Sequence, residues 1–204
     1  IVKYADEIKS QIHGSEISFV VNRNINYTNI CSFKCNFCAF SKGKGHDDLR
    51  GMPYNISEEE IIRRTKEAID RGATEVCLQG GIHPKFSGET YLDIVRAIRS
   101  VSDSIHIHAF SPLEIDHGRK TLNISVKDFL IELKNVGLNS LPGTAAEILH
   151  DDIRAIICPD KLNSNEWVEI IKAAHSVGLP TTSTMMFGHV ENMSHVAHHL
   201  IKLL

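Results

Sequence analysis

A unit of amphipathic helix, glycine and short apolar strand recurs along the 204-residue chain and dictates a parallel sheet. Ser57-Glu58-Glu59-Glu60 reads as a capping box, with Ser57 capping the backbone and Glu60 reaching back. Behind it Ile61, Ile62, Thr65, Ala68 and Ile69 share one helical face, Gly72 supplies the stop, and Ala73 to Gln79 reads as a strand. A helix through Tyr91, Ile94, Val95 and Ile98 leads to a strand from Ile105 to Phe110. Another, capped by Ser125 and carrying Phe129, Leu130, Leu133 and Val136, stops at Gly137 before a strand near Leu138 to Leu141. A third, from Ser164 through Trp167, Ile170, Ile171 and Ala174, stops at Gly178 before Thr181 to Met186. Ile25 to Ile30 is the strand ahead of them all.

Parallel neighbours need a helical crossover, so five such strands predict an α/β domain with a parallel sheet. Gln79-Gly80-Gly81, Phe110-Ser111-Pro112 and Leu141-Pro142-Gly143 follow strand ends, where an α/β barrel places its chemistry. A closed eight-stranded barrel takes about 250 residues. The expectation is therefore a partial TIM-type barrel, truncated after about five β/α units; a flat doubly wound sheet is the alternative that strand periodicity leaves open. No linker or low-complexity stretch divides residues 1–204, which read as a single domain. The chain opens without methionine and closes on His198-His199-Leu200-Ile201-Lys202-Leu203-Leu204, a helical pattern without a stop signal. We expect a piece of a longer protein, with an N-terminal extension and further C-terminal barrel units outside it.

The five cysteines are Cys31, Cys35, Cys38, Cys77 and Cys158. An odd count with three tightly clustered does not suit a disulfide framework and points to a reducing, cytoplasmic setting. Cys77 and Cys158 sit in apolar runs and read as small core residues. The other three follow the first strand with the spacing C-x3-C-x2-C. Iron–sulfur clusters usually take four thiolates. Three close thiolates without a fourth leave one iron of a [4Fe–4S] cubane open, able to chelate the amino and carboxylate groups of S-adenosylmethionine (SAM). Phe37, beside the last cysteine, is placed to cover the cluster or the adenine. The competing reading is a zinc site, which requires four closed ligands and would recruit His46 as the fourth; no second Cys-x2-Cys follows to complete a zinc ribbon.

Asn24-Ile25-Asn26-Tyr27-Thr28-Asn29-Ile30 running into Cys31, Cys35, Cys38, Ala39 and Phe40 resembles the radical SAM superfamily. More narrowly it resembles the tyrosine-using half of FO synthase, which builds the deazaflavin chromophore of coenzyme F420. The likeness runs from about Val20 to Val190 and takes in Gln79-Gly80-Gly81-Ile82, His106 to Pro112, Pro142 to Leu149, and Ser183 to His189. It implies a radical SAM transferase that joins the 4-hydroxybenzyl group of L-tyrosine to 5-amino-6-(D-ribitylamino)uracil, with an external electron donor. A second radical SAM protein, which closes the ring, is the implied partner. The aminofutalosine synthase and cyclic futalosine-forming enzyme of menaquinone synthesis share the cysteine loop. They usually carry Gly-Gly-Gly-Ala-Glu where this chain has Gly143-Thr144-Ala145-Ala146-Glu147, and that difference favours the FO synthase family.

In similar radical SAM enzymes the loop matching Gln79, Gly80 and Gly81 contacts the methionine amino group of SAM; read alone, it is a turn in which glycines admit close backbone approach. Ser111 and Glu114 close the third strand, where a carboxylate suits ribose hydroxyls or a substrate amine, or is a solvated loop acid. His106 and His108 alternate on one strand and share a face, either binding substrate or as hydrogen-bonded core histidines. Glu147 follows the fourth strand as a candidate catalytic group, or sits in the first turn of a short helix. His189, past the fifth strand, is a candidate acid or base.

The formal charge of −3 gives no basic footprint for nucleic acid or an anionic membrane. No stretch approaches the roughly 18 apolar residues that span a bilayer. The run from Lys42 to Asp48 reads as a solvated loop.

Overall fold

The computed structural model describes residues 2–41 and 52–204. His46 and the charged run 42–48 lie outside the described residues. Three parallel strands lie side by side in sequence order: β1 (Asn22–Asn26), β2 (Glu75–Gln79) and β3 (His106–Ala109). Asn22 pairs with Glu75 and Asn26 with Gln79, while Glu75 pairs with His106 and Leu78 with Ala109. The crossovers are α2 (Glu58–Asp70) and α3 (Gly88–Arg99); α1 (Val2–His13) precedes the sheet. After β3 come α4 (Pro112–Leu122), α5 (Val126–Asn135), α6 (Asp151–Ile157), α7 (Ser164–Ser176) and α8 (Met193–Lys202).

The expected fourth and fifth strands are reduced to single parallel bridges, His108 to Ser140 and Leu141 to Thr181. Their bonds are those of a parallel ladder, with Ala109 N–H donating to Ser140 O and Leu141 N–H to Pro180 O. The ladder stops there because Pro142 and Pro180 have no N–H to contribute. The winding therefore follows a partial barrel of about five β/α units, three of them with regular strands.

Alternation divides the sheet into two unlike faces. Ile25, Val76, Leu78, Ile107 and Ala109 are fully buried against the helices. Each of the Ile, Val and Leu side chains withdrawn from water contributes about 1.5–3 kcal/mol. Asn24, Asn26, Glu75, Cys77, Gln79, His106 and His108 occupy the opposite face, half-buried or exposed. Under the helical layer Tyr91 meets Phe110 edge to face at 5.1 Å and Phe129 at 6.5 Å. Gly118 on α4 is required there, because a Cβ would overlap the Phe129 ring.

Local signals account for most helix ends. Ser57 caps α2 by accepting from Glu60 N–H. The reciprocal half of the expected box is absent: the Glu60 carboxylate instead binds Arg63 and Arg64 at 2.7 Å. Gly72, Gly137 and Gly178 take positive φ just past α2, α5 and α7.

Helix α4 corrects the loop reading of Ser111 and Glu114. Ser111 is the N-cap, Pro112 opens the helix, and the Glu114 carboxylate completes a capping box. Glu147 does not sit in the first turn of a helix, since α6 starts at Asp151 and Glu147 holds φ 43°.

Candidate functional site

A cavity of about 370 Å³ opens on the polar face, beyond the C-terminal ends of the strands. Asn24 and Asn26 of β1 form its floor, and Gln79, Gly80 and Gly81 follow from β2. Ser111 and Glu114 come from the start of α4, and Thr144 and Glu147 from the loop past the fourth strand position. Cys31, Cys35, Phe37 and Cys38 close the remaining wall. The cavity thus gathers all three clustered cysteines and most other residues singled out by the sequence. A smaller cavity of about 190 Å³, lined by Ile61, Phe86 and Ile94, contains none of them.

The cysteine loop is clamped from two sides. On the sheet side Ser32 N–H donates to Ile82 O at 2.9 Å, Gly81 N–H to Thr28 O at 2.9 Å, and Ile82 N–H to Cys31 Sγ at 3.3 Å. Gly81 must be glycine for this contact, because a Cβ would run into Ile30 O and the Cys31 side chain. Gly80 presses against the Tyr27 ring with the same consequence. On the other side Asn36 N–H donates to Ile157 O at 2.9 Å, Asn36 Nδ2 to Ile156 O at 2.6 Å, and Lys34 N–H to Asp160 at 3.3 Å.

All five cysteines are free thiols. Burial pushes the Cys35 thiol up to about 11, partly offset by Lys161, so the unliganded sulfur keeps its proton. A bound metal would replace that proton. A backbone N–H aimed at a sulfur is the kind of contact that tunes thiolate-held clusters. The three thiols on one cavity wall, the N–H on Cys31 and the glycine cradle fit a [4Fe–4S] cluster with SAM beside it. Among the described residues no three His, Cys, Asp or Glu side chains group around a single ion, and His46 lies outside them.

The two cavity carboxylates differ in commitment. Glu114 is 2% exposed, and both its oxygens accept from the protein: one from the Tyr27 hydroxyl and Gly80 N–H, the other from Ser111 N–H at 2.7 Å and the Ser111 hydroxyl at 2.5 Å. Burial holds its pKa above the usual carboxylate value even so. Among the described residues Glu147 has one partner side chain, the Lys161 ammonium at 2.5 Å. The sequence does not mark Lys161, because Cys158-Pro159-Asp160-Lys161 carries no motif. Its place in the wall emerges only when the turn after α6 docks on the cysteine loop.

His189 does not line the cavity: its Nε2 lies 3.0 Å from Met186 O and its Nδ1 3.2 Å from Glu191. His106 and His108 share the face expected of them, and both meet the Ser140 hydroxyl, at 2.6 and 2.7 Å, outside the cavity lining. Phe37 is 39% exposed at the cavity rim.

A parallel β/α half-barrel with a three-cysteine loop after its first strand is the core arrangement of one enzyme class, and the chain belongs to it: the Radical SAM superfamily profile matches residues 25–203. Among individual relatives, the chain is 47% identical over 199 residues to the 5-amino-6-(D-ribitylamino)uracil–L-tyrosine 4-hydroxyphenyl transferase of Archaeoglobus fulgidus, covering 98% of this chain and 56% of that one. It is 46% identical over 200 residues to FO synthase of Mycobacterium leprae, covering 98% of this chain and 23% of that one. Methylornithine synthase superposes with a TM-score of 0.75 at 14% identity, covering 98% of this chain and 54% of that structure, a likeness of fold alone. The chain spans about half the length of the transferases it matches. Among the described residues no helix is long and apolar enough to cross a membrane.

Proposed function

We propose that the protein transfers the 4-hydroxybenzyl group of L-tyrosine to 5-amino-6-(D-ribitylamino)uracil in deazaflavin formation. The observation that carries this reading is the 47% identity, over 98% of the chain, to a transferase of that name. The single cavity that collects Cys31, Cys35 and Cys38 with the Gly80–Gly81 cradle supports it. These cysteines would hold a [4Fe–4S] cluster, which with SAM supplies one-electron cleavage of a sulfonium and so a hydrogen-abstracting carbon radical.

The chain's own residues prepare the site for that chemistry. Gly80 and Gly81 bring backbone close to the cysteine loop, where an amino-acid moiety needs hydrogen-bond partners. Glu114 holds Gly80 and Ser111 in place, so Ser111 and Glu114 shape the SAM end of the cavity by fixing its walls. Glu147 offers a carboxylate with lone pairs to spare for a substrate amine or hydroxyl. Phe37 covers the rim and limits water. The proposed reaction draws its electron from an external donor and passes its product to a second, ring-closing radical SAM protein.

The test is anaerobic reconstitution with iron and sulfide, followed by incubation with SAM, a reductant, L-tyrosine and the ribitylaminouracil. The expected product has the mass of the 4-hydroxybenzyl adduct. A futalosine-type product from menaquinone-pathway substrates, with no adduct from tyrosine, would overturn the assignment.

A further inference from the structure

We infer that Lys161 is an electrostatic positioning residue of the cysteine site: its ammonium, held over Phe37 by Glu147, raises the reduction potential of a cluster bound by Cys31, Cys35 and Cys38. The inference rests on the cluster-binding reading above and adds a residue to it.

Among the described residues Lys161 is the one cation lining the cavity. Its Nζ lies 5.3 Å from the centroid of the Phe37 ring, between Cys35 and Cys38 in sequence, a cation–π distance that places the charge against the cysteine loop. The placement is enforced by hydrogen bonds between the two segments. The turn carrying Lys161 is strapped to that loop by the three bonds from Lys34 and Asn36 to Ile156, Ile157 and Asp160. Cys158, 1% exposed, belongs to the same apolar cluster as Cys35 and seals the contact from beneath.

The pair is withdrawn from water, with the Lys161 and Glu147 side chains 12% and 9% exposed. Charges in such surroundings act more strongly on neighbours than they do in water. Burial by itself would lower the lysine pKa, but the Glu147 carboxylate at 2.5 Å opposes this and keeps the ammonium charged. Of the two partners, Lys161 is the one that lies against the cysteine loop, through the Phe37 ring. A fixed positive charge favours the reduced cluster, which carries one more electron. Net charge and burial around the sulfurs set cluster potentials.

The two partners therefore predict shifts of opposite sign, which an ion pair serving only to hold the turn would not give. The experiment is an EPR-monitored redox titration, without SAM, of the reconstituted wild type and of Lys161→Met, Lys161→Arg and Glu147→Gln, with iron content and thermal melting recorded for each. The expected result is a lower midpoint potential for Lys161→Met, a higher one for Glu147→Gln, and little change for Lys161→Arg. Shifts of the same sign in the first two, or none, would overturn the inference, even if Lys161 proves to bind a substrate carboxylate. Should Lys161→Met fail to take up iron, Glu147→Gln decides: a rise supports the inference, while a fall or no change overturns it. A wild type that assembles no [4Fe–4S] cluster would instead overturn the underlying reading, a distinct result visible before any variant is titrated.

Discussion

Tyr27 donates its hydroxyl to Glu114, joining the residue after β1 to the first turn of α4 across the edge of the sheet that bears the site. The same carboxylate takes Gly80 N–H and both donors of Ser111. Three strand ends thereby converge on one buried acid. Four donors surround it, and of these only the two hydroxyls can accept back.

Glu114→Gln should therefore destabilise the fold by about 1–3 kcal/mol, because the amide NH2 must face a donor and leave it unsatisfied. Tyr27→Phe removes one donor from a carboxylate that keeps three and should cost about 1 kcal/mol. Denaturant midpoints for both single variants and the double variant check this; additive losses would mean that the two side chains do not act together.

Gly81→Ala should lower iron uptake on reconstitution without unfolding the sheet. The added methyl meets Ile30 O and Cys31, so the loop after β2 has to withdraw from the cysteine loop. Iron per chain is the readout, and wild-type iron content in Gly81→Ala would refute the close approach.

Trp167 is 1% exposed and donates its indole N–H to Thr144 O at 3.0 Å, so α7 props the loop that carries Glu147. Trp167→Ala should cost about 3–5 kcal/mol, as expected for a large buried aromatic. Trp167→Phe should lose far less, measured by chemical denaturation.

Burial holds His108, His117 and His199 below the ordinary histidine value. Their unfolded pKa is about 6.5, so as pH falls below that value the unfolded chain takes up protons first. The stability these groups contribute is fully present above about pH 6.5 and is lost as pH drops toward their depressed folded values. Melting temperature should fall between pH 7 and 5. His199→Gln should flatten the slope, since His199 is buried with Nδ1 accepting from Leu149 N–H. A slope unchanged in that variant would contradict the assignment.

Much of this was legible in the sequence. Helix caps at Ser57, Ser125 and the stops at Gly72, Gly137 and Gly178 are local chemistry, and periodicity delivers β1 to β3. Helix α4 is equally local, since Ser111-Pro112-Leu113-Glu114 is a capping box with proline at the first helical position, but the strand just ahead of it makes Ser111 and Glu114 look like a strand end and loop. The shrinking of the last two strands to bridges depends on which N–H groups face a neighbour, and that is a tertiary property. The cysteine loop was legible because Cys31, Cys35 and Cys38 lie within one short stretch of chain. Lys161 was not, because nothing in its own segment reveals that Ile156, Ile157 and Asp160 bind the cysteine loop.

The proposed three-thiolate cubane would keep one coordination position vacant for SAM, and spectroscopy tests this directly. EPR of the dithionite-reduced, reconstituted protein should show a [4Fe–4S]+ signal that changes when SAM is added. The signal should be lost in each of Cys31→Ala, Cys35→Ala and Cys38→Ala, and it should survive in Cys77→Ala. A cluster spectrum indifferent to SAM, or one that disappears with Cys77, would contradict it.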